Sequence, residues 1–567
     1  MTYSQILVAH PQRDHETPKN ASQKKGPIPA HINVLGLSSV ESRAERKVVL
    51  QVSGGPEKRI VQIPLAELAV SDLKRLANLL AETGDVNLLD RKALQSLAKA
   101  LLSEAAQKDI TVLNGVGIQR VTFNNRTYQA YVWNGTAYWL GEVPPDSTFV
   151  IGDSPSAQTA GTHDDWVQRI GSKMPGNHYL IMLVTHTLAS VLRRPFDQPR
   201  TAFIIVGPSG VGKTSIARCG QSTIGSCDEV KTMTGTPVGI REHLQTKPDC
   251  PVFYQDTRQF PVSELSNLLF DVHDGASRFK SGSSGVPLSS TLILTNERLI
   301  VEMSGAGKLA LDEGLFARCV EIGCDAPYGA FHNIHGAESP AQFAKQLEND
   351  TGQYYGATWE YWLTMLSANW DFVVKKFDTW LPRVKSKLVE RLGDACHKRV
   401  NNRILDGMAF SAWVGVIASH FGVLPLTKNE VIDSFAVVLA EVFARQSEGT
   451  TPLAKQIIAT LKGLIDENPY RFPDFRTLQD RSSPTSVYGY RYTTKKDGEL
   501  FLFLPSVFAR EFVEKYGGNV FKMLAESGYL VTNKGRGNQV LVRVPGSEKN
   551  ERRSFIAIRA TIRFCSS

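Results

Sequence analysis

The sequence predicts an α/β fold whose centre is a P-loop, three-layer parallel sheet, and three observations indicate it. Residues 207–214 read Gly-Pro-Ser-Gly-Val-Gly-Lys-Thr, which matches the phosphate-binding pattern G-x-x-x-x-G-K-[ST]. The apolar run at 202–206 has the length and β-branched content of a buried parallel strand, and the residues from Thr214 onward continue as a helix. Further strand signals alternate with helical segments, which is typical of a parallel sheet covered by helices on both faces. These further strands are expected near 230–233 and at 252–256, 291–295 and 319–322.

The predicted phosphate-binding loop carries the groups that hold a nucleotide and a metal ion. Its glycines allow the backbone to wrap a phosphate, Lys213 supplies a cation, and Thr214 supplies a hydroxyl for Mg²⁺. We therefore expect ATP and Mg²⁺ as cofactors. An ordinary glycine turn is the alternative, but such a turn does not require strand, loop, Lys-Thr and helix in this order. The residues expected to bind the nucleotide are Gly207, Pro208, Ser209, Gly210, Val211, Gly212, Lys213, Thr214 and Ser215.

Two polar residues at strand ends are candidates for the chemistry around the nucleotide. Asp256, after the strand at 252–255, is placed to hold the water shell of Mg²⁺ beside Thr214, as a Walker B carboxylate does. An Asp that caps the next helix is the alternative. Asn296 ends the strand at 291–295, where a polar side chain can position the attacking water, although a turn-forming Asn explains this position nearly as well.

The residue after Asp256 argues against rapid hydrolysis. Such ATPases usually carry a glutamate there to activate water, whereas this chain carries Thr257. Gln259 and Glu264 are the candidate substitutes, although neither has the standard spacing. Slow hydrolysis, or nucleotide binding without turnover, therefore stays open.

Two further features suggest a ring that encloses nucleic acid. Arg318 precedes the strand at 319–322, where ring ATPases of the AAA+ class carry an arginine that reaches the nucleotide of the neighbouring subunit. This interpretation makes the active unit a homo-oligomer, and a surface arginine in a salt bridge is the alternative. Upstream, a Gly- and Ser-rich reversal at 277–285 can project into the pore as a hairpin, with Arg278 and Lys280 as candidate contacts for nucleic-acid phosphates.

Charge, cysteine content and hydropathy limit the class of protein. Residues 470–567 contain 17 Lys and Arg against 9 Asp and Glu; the whole chain has 64 against 56, so subtraction leaves 47 of each sign elsewhere. A localised basic surplus is typical of contact with phosphate backbones, although a soluble basic surface explains it too. Seven cysteines without a C-x-x-C pair favour reduced thiols in a cytoplasmic protein. We recognise neither a secretory signal nor a membrane-spanning stretch.

The chain divides into five expected segments. They are a flexible tail at 1–30, an α+β N-terminal domain at 31–153, a P-loop ATPase core at 163–335, a helical lid with connecting helices at 336–466, and a basic winged-helix domain at 467–567.

The winged-helix prediction comes from the end of the chain. Helices near 507–516 and 519–526 precede two strand-like runs, 529–531 and 540–544, which we expect to pair as a hairpin. Its tip carries Lys534 and Arg536, which can reach a phosphate backbone. A winged helix used only for protein contact is the alternative, because a fold does not determine a function.

Three short runs after the predicted core resemble a known group of proteins. They read Phe-His-Asn-Ile-His-Gly at 331–336, Phe-Ala-Lys-Gln-Leu at 343–347 and Tyr-Tyr-Gly at 354–356. In these runs the chain resembles bacterial proteins of the domain-of-unknown-function family 927. That group includes the Cch-type helicases of cassette-chromosome mobile elements, which are similar to the minichromosome maintenance replicative helicases. The resemblance covers roughly residues 110 to 560, since the runs at 113–117 and 541–546 also fit.

This resemblance implies a self-loading, hexameric AAA+ helicase or initiator. It implies that residues 207–214 are Walker A, Asp256 is Walker B, Asn296 is sensor 1 and Arg318 is the finger that acts on the neighbouring subunit. The family usually has Asp-Glu in Walker B, and Thr257 departs from that pattern.

The family run at 331–336 also contains two histidines. His332 and His335 match the family motif, yet no carboxylate or cysteine accompanies them at ligand spacing, which favours a structural role over metal ligation.

We therefore expect an ATP- and Mg²⁺-dependent, ring-forming DNA helicase, translocase or replication initiator of a mobile genetic element. Its expected partners are single-stranded or forked DNA and further copies of the chain, six as the resemblance implies, without a membrane. A nucleotide-gated DNA-binding scaffold or defence component with little hydrolysis is the main alternative. A P-loop kinase is a weaker one, against which the basic C-terminal segment and the placement of Arg318 argue.

Overall fold

The computed structural model describes most of the chain and confirms a mixed α/β fold with a parallel sheet. The described residues are 28–38, 46–53, 58–69, 73–123, 125–145, 149–152, 157–275, 287–300, 315, 317–397, 399–447, 452–477, 487–495, 497–516, 520–532, 538–545 and 551–561.

The first part of the chain forms two separate sheets. The larger contains β1 (Ile32–Ser38), β2 (Lys47–Ser53), β3 (Lys58–Pro64), β4 (Asp109–Leu113) and β8 (Phe149–Ile151), in the order β3-β2-β1-β4-β8. Its core includes leucines of α1 (Leu65–Ala69), α2 (Lys74–Thr83) and α3 (Arg91–Ala105). The smaller is an antiparallel meander of β5 (Gly117–Phe123), β6 (Arg126–Trp133) and β7 (Thr136–Trp139). The meander contributes side chains to the large core around the central sheet.

The central sheet is parallel throughout and has five strands. They are β9 (Ala202–Val206), β10 (Lys231–Thr232), β11 (Pro251–Gln255), β12 (Thr291–Asn296) and β13 (Cys319–Gly323). Their order is β10-β11-β12-β9-β13, so β12 lies between β11 and β9. Because parallel strands point the same way, the carboxyl ends of β9, β11 and β12 meet at one edge of the sheet.

Helices cover both faces of this sheet, as the sequence predicted. Side chains alternate along β9, so that Phe203 and Ile205 face one cluster of apolar residues while Ile204 and Val206 face the other. The first face packs against α4 (His163–Arg169), α5 (His178–Arg193) and α6 (Lys213–Ser222), and the second against α7 (Pro237–Gln245) and α8 (Val262–Asp274). Residues 179–193 of α5 are all buried, which explains why most of them are apolar.

Further helices extend the first face. They are α9 (Pro340–Gln353), α10 (Ala357–Ala368), α11 (Trp370–Leu392), α12 (Arg399–His420) and α13 (Lys428–Ser447). Both α12 and α13 pack directly on α5, and the indole rings of Trp359, Trp362 and Trp413 are fully buried there. The side chains of α14 (Pro452–Glu467) belong to the C-terminal core instead.

The C-terminal part combines short helices with an antiparallel sheet. Its strands are β14 (Gly489–Thr494), β15 (Gly498–Phe503), β16 (Leu530–Val531), β17 (Val540–Arg543) and β18 (Arg552–Arg559). A π-helical turn at Ala509–Val513 joins α15 (Pro505–Phe508) to α16 (Glu514–Tyr516), and α17 (Val520–Glu526) follows.

The predicted pairing of 529–531 with 540–544 is wrong. Leu530 lies opposite Ile558 and Val540 lies opposite Phe555, so β16 and β17 each pair with a different stretch of β18. β18 has eight residues and is long enough to pair with both short strands, and its buried run at 555–558 includes the partners of Leu530 and Val540. The hairpin is therefore formed by β17 and β18. The winged-helix assignment of this region stays a prediction.

Two observations concern membranes and thiols. No helix in the described ranges has the length and apolar composition that crossing a bilayer requires. The cysteines at 219, 227, 250, 319, 324 and 396 are buried free thiols.

Candidate nucleotide-binding site

The glycine-rich loop connects β9 to α6 at the carboxyl edge of the sheet. Gly210 (φ 83°) and Gly212 (φ 98°) adopt left-handed backbone conformations, which glycine reaches without the strain of a Cβ. Helix α6 then begins at Lys213, and the free N–H groups of a helical first turn favour a bound anion. The Lys213 ammonium donates to the carbonyl oxygens of Gly207 and Pro208, both at 2.7 Å. Burial lowers the pKa of Lys213.

The segment that follows β13 packs directly on this loop. The N–H of Ala330 donates to the carbonyl oxygen of Val211 (2.8 Å), and a Cβ on Gly212 would lie 2.6 Å from the buried ring of Phe331. Position 212 therefore requires glycine for its backbone conformation and also for the close approach of this ring. A cavity of about 320 Å³ lies between loop and segment. It is lined by Gly210, Val211, Gly212, Pro327, Tyr328, Gly329, Phe331, Pro340 and Ala344.

Asn177 joins the run at 331–336 to the start of α5. Its Oδ1 accepts hydrogen bonds from the N–H groups of His332 (2.9 Å) and Asn333 (3.0 Å). Its Nδ2 donates to the carbonyl oxygens of Asn333 and Lys173, both at 2.8 Å. These four bonds satisfy both ends of a buried amide and hold the run that carries the family resemblance against the loop.

The two histidines of this run have different surroundings. The Nε2 of His335 lies 3.0 Å from the carbonyl oxygen of Lys173. His332 contacts the rings of His178 and Tyr179 edge-on, and its two ring nitrogens are buried without a hydrogen-bond partner within the described part of the chain. Burial lowers the pKa of His332 to about 4.

Asp256 lies at the same sheet edge as the loop, on the other side of β12. Its N–H donates to the carbonyl oxygen of Thr295 (3.0 Å), and its φ of 53° is a left-handed conformation that Asp tolerates better than most residues. Arg258 grips the carboxylate with two bonds, Nε to Oδ1 and Nη2 to Oδ2, both at 2.7 Å. Its Nη1 also donates to Oε2 of Glu297 (3.2 Å). The hydrogen bonds from Arg258 lower the pKa of Asp256.

Asn296 connects the two halves of the site through its backbone. Its carbonyl oxygen accepts from the N–H of Gly207 (3.2 Å). Its side chain closes the turn after β12, since Oδ1 accepts from the N–H of Glu297 (3.0 Å) and Nδ2 donates to the carbonyl oxygen of Arg298 (2.8 Å). This is the geometry of a turn-forming Asn, and its predicted role toward water stays a prediction.

Neither Thr257, at the usual position of the Walker B glutamate, nor the candidate substitutes Gln259 and Glu264 offers an unpaired carboxylate there. Thr257 is buried, Gln259 is exposed, and Glu264 lies on α8 with a carboxylate oxygen 3.5 Å from Arg241. Sequence reasoning missed Arg258 and Glu297. The available signal for Glu297 was an acidic residue directly after Asn296, at the end of the strand that separates Asp256 from the loop.

Arg318 has partners within its own chain. Its guanidinium carbon lies 4.4 Å from the centre of the Phe270 ring, and Nη2 is 3.4 Å from a carboxylate oxygen of Asp274. These contacts match the salt-bridge alternative, while contact with a second subunit stays a prediction. The four predicted DNA contacts, Arg278, Lys280, Lys534 and Arg536, lie outside the described residues.

The oxygen donors at this edge suit Mg²⁺. Thr214 offers a hydroxyl and Asp256 a carboxylate, which are ligands that Mg²⁺ prefers. Within the described ranges, no three His, Cys, Asp or Glu side chains group as a metal cage. A Mg²⁺ ion here fits the common arrangement in which few protein oxygens bind it and nucleotide phosphates and water complete the shell.

The fold and this edge define an α/β protein whose parallel sheet places a glycine-rich loop of phosphate-binding sequence beside an acidic strand end. The family model of DUF927, described as a domain of unknown function, matches residues 45–287 of this chain. The resemblance predicted from the sequence is thereby confirmed. Of the runs that indicated it, 113–117 lies inside the matched segment and 331–356 lies beyond it.

A solved structure has the same fold over nearly the whole chain. It is described as "SCCmec type IV Cch - active helicase", with a TM-score of 0.65 and 16% identity, covering 94% of this chain and 95% of that one. At this identity the likeness shows the fold alone. No curated protein matches the chain.

Proposed function

We propose that this protein is an ATP- and Mg²⁺-dependent AAA+ ring ATPase that moves on or opens DNA, as a helicase, translocase or replication initiator of a mobile genetic element. One observation carries the proposal: Lys213, after β9, and Asp256, after β11, flank the end of β12 at one edge of a parallel sheet. A phosphate-binding cation and a metal-binding carboxylate at one edge are what phosphoryl transfer from a Mg²⁺-nucleotide requires.

The backbone of the loop, Lys213 and Thr214 have separate roles in this function. The N–H groups of 209–212 and of the first turn of α6 bind phosphate oxygens, and Lys213 exchanges the carbonyl oxygens of Gly207 and Pro208 for a phosphate. Thr214 and Asp256 hold Mg²⁺, which neutralises charge on the phosphates when bound. The cavity beneath Phe331 adjoins this loop.

DNA and a second subunit are the proposed partners. The basic surplus of residues 470–567 and the likeness in fold to a structure described as an active helicase both support DNA. In this function Arg278, Lys280, Lys534 and Arg536 contact phosphates. Arg318 leaves Asp274 to reach the nucleotide of a neighbouring subunit in a hexameric ring.

Steady-state ATPase assays with and without single-stranded DNA test this function. We expect DNA to raise the rate, and we expect Lys213→Ala to abolish it because the triphosphate loses its cation. Lys231→Ala, an exposed lysine of β10, is the matched control and should keep the wild-type rate. A Lys213→Ala protein as active as the wild type would contradict the proposal.

A nucleotide-gated DNA-binding scaffold is the second candidate, and the grip of Arg258 on Asp256 favours it. A carboxylate that holds an arginine with two bonds must release it before it can bind a metal, which slows turnover. Light scattering with ATP and with a non-hydrolysable analogue separates the two functions. Identical assembly with both nucleotides and background hydrolysis supports the scaffold, whereas hydrolysis stimulated by DNA supports the motor.

A further inference from the structure

Hydrolysis of a nucleotide at this site needs a group that orients and deprotonates water. The usual position, directly after the metal-binding carboxylate, holds Thr257, whose side chain is only 1% exposed and carries no negative charge. Glu264, on α8, is paired with Arg241 of α7. If this chain hydrolyses ATP, the carboxylate that deprotonates water is therefore expected at the end of another strand.

Glu297 is the carboxylate that the fold brings to the site. It directly follows β12, whose last residues bond to both halves of the site: Thr295 accepts from the N–H of Asp256 (3.0 Å) and Asn296 accepts from the N–H of Gly207 (3.2 Å). The side chain of Glu297 is 37% exposed, so it meets solvent. Burial lowers the pKa of Lys213 and the Glu297 charge partly opposes that shift, which also indicates that Glu297 lies near the loop.

Arg258 ties Glu297 to Asp256. One guanidinium bonds Oδ1 and Oδ2 of Asp256 and Oε2 of Glu297, at 2.7, 2.7 and 3.2 Å. The planar fork of arginine suits this bidentate grip. Two carboxylates that would otherwise repel are thus held on one cation across the end of β12.

We propose that Glu297 is the catalytic base of this ATPase and that Arg258 is a positioning residue that clamps Glu297 and Asp256 until nucleotide and Mg²⁺ arrive. The inference rests on the proposed function of the site. With Asp256 engaged as a ligand of Mg²⁺, Arg258 would release that carboxylate, and Glu297 would be available to accept a proton from water. The attacking water gives a proton to the Glu297 carboxylate while its oxygen bonds to phosphorus. The bond from phosphorus to the bridging oxygen breaks, ADP and inorganic phosphate leave, and Glu297 returns the proton to solvent.

The role of Glu297 is tested by Glu297→Gln, with Glu264→Gln as the matched control. Binding of a fluorescent ATP analogue and single-turnover hydrolysis are measured on the full chain. We expect Glu297→Gln to bind the analogue like the wild type and to hydrolyse ATP about 100-fold or more slowly, the size of a lost general base. Glu264→Gln should match the wild type in both assays.

Three results would overturn the role of Glu297. They are wild-type hydrolysis by Glu297→Gln, equal losses in both variants, and a wild-type protein that binds nucleotide without hydrolysing it. Failure of the wild type to bind nucleotide, or hydrolysis that survives Lys213→Ala, overturns the proposed function itself. The two failures are therefore distinguishable.

The role of Arg258 is tested by the Mg²⁺ concentration that half-saturates nucleotide binding, a readout independent of turnover. We expect Arg258→Ala to need severalfold less Mg²⁺ because its competitor for Asp256 is gone, and Arg258→Lys, which keeps one charge without the fork, to lie between the two. An unchanged Mg²⁺ requirement in Arg258→Ala overturns the clamp.

Discussion

The two sides of the candidate site are held by different forces. On the loop side, the buried Phe331 ring packs on Gly212 and a fully bonded Asn177 fixes the segment that carries it. On the acidic side, Asp256 and Glu297 are held by Arg258, whose side chain is 57% exposed. Packed apolar contacts resist deformation, whereas exposed ion pairs exchange readily. Under the proposed function, the comparison indicates a preformed phosphate-binding side opposite an adaptable side for metal and water.

The largest expected effect comes from removing the ring beneath the loop. Phe331→Ala leaves a cavity beside Gly212, and we expect it to destabilise the fold by about 3–5 kcal/mol, as such core truncations do. Affinity for a fluorescent nucleotide analogue should fall with it, because the loop loses its support. Urea unfolding and analogue titration measure the two effects.

Tyr328→Ala is the control for this ring. It lines the same cavity but its side chain is 40% exposed, so we expect a small effect on unfolding. If Phe331→Ala bound nucleotide with wild-type affinity, the loop would not depend on this packing and the contrast between the two sides would fail.

The next effect comes from the amide that anchors the same segment. Asn177→Ala deprives two partly buried backbone N–H groups, those of His332 and Asn333, of their acceptor; a fully buried unsatisfied donor costs about 1–3 kcal/mol, and these two should lie at the lower end of that range. We expect a clear fall in the urea midpoint. Asn369→Ala, which removes one side-chain bond to a helical carbonyl, should cause a smaller fall. Equal midpoints for the two variants would argue against an anchoring role.

The two sides also differ in how much of them the sequence predicted. The strand, glycine loop and helix at 202–222 are contiguous, so a local pattern was enough to predict them. The contact between Arg258 and Glu297 joins side chains from two strand ends far apart in sequence, and only the sheet order brings them together. The same limit explains the error at the C-terminus, where β16 and β17 each pair with β18 and not with each other.

A smaller effect, on the loop side, is a dependence of stability on pH. Burial lowers the pKa of His332 to about 4, while an unfolded histidine titrates near 6.5. The unfolded state therefore binds the extra proton first, and stability is lost as the pH falls from about 6.5 toward 4. We expect His332→Phe, which keeps a ring against Tyr179, to reduce this loss. Thermal melts across this pH range measure it, and an unaltered pH dependence in the variant would contradict the assignment to His332.

The smallest effect on stability is expected on the acidic side. Arg258→Ala breaks only exposed ion pairs with Asp256 and Glu297, so its unfolding midpoint should equal that of the wild type at moderate salt. Its expected consequence is functional, in the Mg²⁺ dependence of nucleotide binding.

Arg241→Ala is an informative comparison, because Arg241 is only 16% exposed and pairs with Glu264 and Asp271 within the layer that covers the sheet. Loss of Arg241 should lower the urea midpoint of unfolding and leave the Mg²⁺ dependence of nucleotide binding unchanged. If Arg258→Ala destabilised the protein as strongly as Phe331→Ala, the acidic side would be as rigid as the loop side, and an adaptable metal site would no longer follow from the structure.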